Sequence, residues 1–254
     1  MNEKIKNWGI GLVIIGIFLL SGCATIPSQN EPLPLPKFDF IPPPQVTVGN
    51  AQVSFAIISP QYSEYQPWTE ISLFNNFCSN MSLDFQELLI ARGFTTKGPY
   101  RSYDEMTFPD KKICDLVLVP LLGVKIDILD TKRGYPTSNP FDFSHRLSGT
   151  AYISGRVTLS INESLSGERM WFKSIELPQK VVQWQGEQSY TSDKAITIPT
   201  SNAYTDPGFI RAMSKPLEEF YTKILKTSWD YLNPEEMALV KKQSQEIKNK
   251  KIYQ

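Results

Sequence analysis

Strict alternation in Arg156-Val157-Thr158-Leu159-Ser160-Ile161-Asn162 commits this stretch to a β-strand with one apolar face, because successive side chains of a strand point to opposite sides. Val157, Leu159 and Ile161 must then be covered. Residues 164–168, Ser-Leu-Ser-Gly-Glu, supply a turn around Gly167, and 169–177 return as the partner strand. Residues 181–184 offer another strand. Upstream, 53–59 is a strand by composition, 94–100 a weaker one, and 115–128 is rich enough in Leu, Val and Ile to be buried, with Pro120 marking a bend or an edge.

Two amphipathic helices are available to cover such a sheet. Over 71–92, Phe74, Phe77, Cys78, Met81, Phe85, Leu88 and Leu89 recur at three- and four-residue spacing, and Gly93 ends the run. Near the C-terminus, Ser214 and Pro216 mark a helix start, and Leu217, Phe220, Tyr221, Ile224, Leu225, Trp229 and Leu232 form its apolar stripe. Asn233-Pro234-Glu235-Glu236 caps a last helix. It ends in Lys241, Lys242, Lys248, Lys250 and Lys251, a solvated tail or a contact for an acidic surface or lipid. The order of elements predicts an α/β (α+β) fold. It has a single mixed β-sheet with a long hairpin, packed by an N-terminal and a C-terminal amphipathic helix.

The first residues bear on compartment. Lys4 and Lys6 precede thirteen apolar residues, 8–20, which as a helix reach ~20 Å and fall short of the ~30 Å hydrocarbon core. That length suits a secretory signal. It ends in Leu20-Ser21-Gly22-Cys23, which has the form of a lipobox: Leu20, Ser21 and Gly22 for the peptidase, Cys23 for the acyl group. The expected organisation is a signal peptide over 1–22, a lipidated Cys23 with a Pro-rich tether over 23–50, a globular domain over 51–232, and a polar Lys-rich helix over 233–254. Seven prolines between 24 and 50 favour extended chain, which Phe38, Phe40 and Ile41 interrupt as points that can dock on a surface. One acyl chain holds weakly and two or three hold firmly, so the partner expected through Cys23 is a membrane. Ala24, where an Asp would signal inner-membrane retention, favours the outer membrane, facing periplasm or exterior.

Composition narrows the function. Removal of two lysines and one glutamate with the signal from 26 basic and 26 acidic side chains leaves 24 and 25, a net charge of −1, which points away from nucleic acid. His145 is the single histidine and sits in a Gly/Pro/Asn-rich loop, 133–145, so neither a usual metal set nor a His-dependent nucleophile is encoded. No phosphate-binding glycine loop is present, and no cofactor or catalytic residue is expected. Cys78 and Cys114 remain after lipidation, either as a disulfide or as free thiols, with Cys78 on the apolar face of its helix.

Candidate ligand contacts are therefore surface groups. Tyr62, Tyr65 and Trp68 lie together in 61–68, either as stacking rings for a glycan or partner or folded back over the core. Lys132 and Arg133 place two cations at a strand end, either pairing with a ligand carboxylate or simply solvated.

Several landmarks together resemble the neuraminyllactose-binding hemagglutinin family, the HpaA-type lipoproteins of the flagellar sheath. They are Cys23, Pro60-Gln61-Tyr62-Ser63, Leu88-Leu89-Ile90-Ala91-Arg92-Gly93-Phe94, Val157-Thr158-Leu159-Ser160-Ile161-Asn162-Glu163 running into Ser166-Gly167-Glu168, and the Lys-rich last helix. The resemblance implies an outer-membrane lipoprotein with an α/β domain and a binding or sheath-associated role. Of that family's basic sialic-acid motif, Lys132 and Arg133 match; the positions that follow, 135–140, are uncharged. The function expected is non-catalytic binding, with a surface glycan or other envelope proteins as partner. The alternatives are a structural subunit of an envelope-spanning machine such as a secretion-system outer-membrane core and, behind it, an envelope hydrolase.

Overall fold

A computed structural model describes residues 36–44, 52–134, 146–186 and 203–252. Its strands are β1 (Ser54–Ile58), β2 (Gln61–Tyr62), β3 (Thr95–Tyr100), β4 (Leu116–Gly134), β5 (Arg146–Glu163) and β6 (Arg169–Gln185). Its helices are α1 (Ser72–Ala91), α2 (Phe108–Ile113), α3 (Pro207–Tyr231) and α4 (Pro234–Ile252). One mixed sheet in the order β3-β1-β4-β5-β6, with β2 beside β4, confirms the expected class.

The β1–α1–β3 crossover makes β3 parallel to β1, and β1 is also parallel to β4. β1 reads Ser-Phe-Ala-Ile-Ile without alternation because both its faces are covered. Phe55 and Ile57 join the main core beneath α1, whereas Ala56 and Ile58 join a small cluster on the opposite face with Met106, Cys114 and Val117. β4, β5 and β6 then form a long antiparallel meander. α1 packs beside β1 and β3, α3 over β5 and β6, and α4 against β6.

α1 follows the predicted stripe, with Phe74, Phe77, Met81, Phe85, Leu88 and Leu89 fully buried. It ends at Gly93, whose φ of 85° is open to glycine at little cost.

Three expectations are corrected. First, α3 starts at Asp206–Pro207, not at Ser214 and Pro216. Asp206 Oδ1 accepts from the N–H groups of Gly208 (2.7 Å) and Phe209 (3.3 Å). Pro216 lies inside the helix, which costs ~3 kcal/mol. Phe209 and Met213, buried ahead of it, each return roughly 2 kcal/mol and carry the helix through. Second, 169–177 and 181–184 are one strand, β6. Ser154 faces Pro178 and Gln179 together, a bulge that accommodates the proline without ending the strand. Third, β4 runs past 128 to Gly134, and Pro120 does not break it. β1 pairs at 116–118 and β2 at 121–122, so Pro120 falls between the two parallel partners.

The last helix is not wholly a solvated tail. Met237 and Val240 belong to the main core, Asn233 Oδ1 caps it by accepting from Glu236 N–H at 2.8 Å, and Lys241 reaches Asp115 at 3.0 Å. No helix among the described residues is long and apolar enough to cross a membrane.

Candidate functional site

Two bulges at the far end of the meander build a polar groove. Along β4, Val124, Ile126 and Ile128 face the core. The register shift between Ile128 and Asp130 adds one residue, Leu129, and reverses the phase. Asp130 and Lys132 then point away from the core, opposite Thr150 and Ser148. The bulge at Pro178 and Gln179 does the same to β6: Val182 and Trp184 turn inward, and Gln183 and Gln185 come out beside Thr150 and Ser148.

The result is two rows across three strands, Lys132–Ser148–Gln185 and Asp130–Thr150–Gln183. They border an open groove of about 430 Å³. Gly149 and Trp184 complete its lining. A Cβ on Gly149 would collide with the Asp130 carbonyl and sit 2.9 Å from Trp184 Nε1, so only glycine lets the indole close over this part of the sheet.

Asp130 Oδ1 accepts from Thr150 N–H at 2.7 Å, and its other oxygen lies 3.9 Å from Lys132 Nζ. The Lys132 side chain is 78% exposed, so that ion pair contributes little and the ammonium is available to a ligand. The groove thus presents one cation, one carboxylate, two hydroxyls and two amides, the chemistry of hydrogen bonding to a polyhydroxylated or peptide ligand.

The other predicted contacts lie elsewhere. Tyr62 and Ser63 sit beside Leu122 on β4, eight residues and roughly 26 Å from Asp130. Trp68 is 2% exposed, with its ring 5.0 Å from Tyr62 and 4.7 Å from Phe74, so it packs in the core and offers no stacking face. Tyr62 is largely covered as well, its hydroxyl donating to the Phe74 carbonyl at 3.1 Å. Tyr65 alone of the three projects, 73% exposed, donating to Glu70 at 3.0 Å. The expected processing and acylation positions Leu20, Ser21, Gly22 and Cys23, like His145, lie outside the described residues, and of Arg133 only the backbone is described.

Cys78 and Cys114 are not joined in a disulfide, which corrects that alternative. The sheet separates them: Cys78 packs against the main core and Cys114 belongs to the cluster on the opposite face. Burial pushes the Cys78 thiol up to about 11, so it stays protonated and unreactive near neutral pH. Among the described residues, no three His, Cys, Asp or Glu side chains converge as a metal site. Of the residues lining the groove, the sequence singled out Lys132 as a candidate contact; Asp130, Ser148, Thr150, Gln183 and Gln185 join it only through the bulges.

No family model matches this chain, and no curated protein matches it in sequence. Among solved structures, a neuraminyllactose-binding hemagglutinin homolog from Helicobacter pylori superposes with a TM-score of 0.55 at 16% identity, covering 81% of this chain and 98% of that one. A lipoprotein from Neisseria meningitidis matches at a TM-score of 0.24 and 11% identity, over 56% of this chain and 88% of that one. A PelC dodecamer from Paraburkholderia phytofirmans matches at 0.26 and 12%, over 65% and 88%. The first likeness is one of fold; the other two superpose too loosely to support more.

Proposed function

We propose that this chain is a non-catalytic binding protein, anchored to the outer membrane through a lipid on Cys23, whose groove on the β4–β6 meander takes a surface glycan. The observation that supports this reading is the groove itself, where the β4 and β6 bulges turn Lys132, Asp130, Ser148, Thr150, Gln183 and Gln185 onto one face that none of the described elements covers. The shared fold with the Helicobacter pylori homolog adds to it. The test is glycan binding by the soluble mature chain, compared with Lys132→Ala and Gln183→Ala. Saturable binding that each substitution weakens supports the reading; binding that neither changes would sink it.

A second reading, a subunit of an envelope assembly, is favoured by a different observation. Among the described residues, Leu121, Leu129, Phe172 and Val181 all stand exposed on the face of the meander turned away from the core, and β6 is the last strand of the sheet. Stoichiometric copurification with other envelope proteins, lost on Phe172→Asp and Val181→Asp, would move the function to that class.

A further inference from the structure

Residues 36–42 lie along α1 and α3 as an extended ribbon. Burial alternates through it: Pro36, Phe38, Phe40 and Pro42 are covered or half-covered, while Lys37, Asp39 and Ile41 face solvent. Phe38 is 5% exposed. Its ring lies 5.3 Å from Phe77 of α1 at 87° and 5.3 Å from Tyr221 of α3. Carboxylates of the two helices receive the ribbon's backbone. Lys37 N–H donates to Glu218 Oε1 at 2.9 Å, and Phe40 N–H donates to Asp84. Asp84 is buried and is held from the other helix by the Tyr221 hydroxyl at 2.6 Å. A carboxylate in such a place is costly unless its hydrogen bonds are filled, and the ribbon fills one of them.

We infer that the groove between α1 and α3 is a receptor for an extended Pro-x-Phe-x-Phe-x-Pro segment, filled in cis by residues 36–42 as a latch on the tether. The consequence for reach rests on the anchor at Cys23; the docking does not. From Cys23 to Lys37 the chain spans at most ~50 Å whatever its conformation. With the latch open, the next buried residue among those described is Val53, and the limit set by that residue rises to ~100 Å. Docking therefore halves the distance over which the domain can search from the bilayer.

Hydrogen exchange on the mature chain carrying Cys23→Ser tests the latch without the lipid. The ribbon amides should exchange at least tenfold more slowly than free chain. The double substitution Phe38→Ala and Phe40→Ala should bring them to the free-chain rate while α1 and α3 keep their protection. Glu218→Ala, which removes an acceptor and leaves the core alone, should loosen the ribbon only. An unprotected ribbon in the parent chain, or loss of protection in α1 and α3 together with it, would overturn the proposal, the latter because the ribbon would then be ordinary core. For the acylated protein on a supported bilayer, the protein layer should move outward in the double variant, and an unchanged layer would overturn the effect on reach. If no layer forms, the anchor reading fails and the exchange result still decides the latch.

Discussion

Tyr221→Phe removes one hydroxyl and leaves the ring that packs on Phe38 and Phe77. What is lost is the 2.6 Å hydrogen bond to Asp84. Burial raises the Asp84 carboxyl above the usual carboxylate range, while the Tyr221 hydroxyl and Phe40 N–H pull it down. A carboxyl raised in the folded state stabilises most below its unfolded value, near 4, and loses that contribution as pH rises through its folded value. Taking away the hydroxyl raises Asp84 further, so the variant suffers most where the carboxylate must be charged. A hydrogen bond to a charged group contributes about 1.5–3 kcal/mol, and one to a neutral group about 1 kcal/mol. The expected loss is therefore ~2 kcal/mol near pH 7, a fall in Tm of roughly 4–8 °C, and ~1 kcal/mol or less near pH 4. Urea unfolding followed by tryptophan fluorescence at the two pH values measures both. Equal losses at the two would refute the account, because Asp84 would then not be the charged acceptor of this bond.

Other substitutions separate core from site. Trp68→Ala should cost about 3–5 kcal/mol in denaturant unfolding, as a buried aromatic does, whereas Lys132→Ala should stay within about 0.5 kcal/mol and change only ligand binding. Asp206→Ala should cost ~1 kcal/mol and speed exchange in the first turn of α3, and Asp206→Ser should recover most of both, since a single side-chain oxygen makes the cap. Alkylation of the unfolded, unreduced mature chain should label both Cys78 and Cys114, and a reductant should leave Tm unchanged; a protected pair of thiols would contradict the separation by the sheet.

Local pattern was enough to identify most elements. The alternation at 156–162 became the second half of β5, and the spacing of Phe74 through Leu89 became the buried face of α1. Aromatic residues in 61–68 were legible as a cluster, but not their fate, since neighbouring rings close over Trp68 only when β2 docks beside β4. Helix signals misplaced the start of α3 because proline is favoured in the first turn of a helix and disfavoured inside one, and only burial of Phe209 and Met213 outweighs the cost of Pro216 within it.

By itself, then, the sequence determined the strand and helix faces, the mixed sheet they require, and Lys132 as an exposed cation. Those follow from periodicity and composition, which are properties of a few consecutive residues. Tertiary structure alone decided which way Asp130, Lys132, Gln183 and Gln185 point, because a bulge is set by the register of the neighbouring strand and reverses every side chain beyond it. It also decided that Phe38 and Phe40 lie in a groove, since their partners Phe77, Asp84 and Tyr221 come from two helices that the fold brings together across 137 residues of chain.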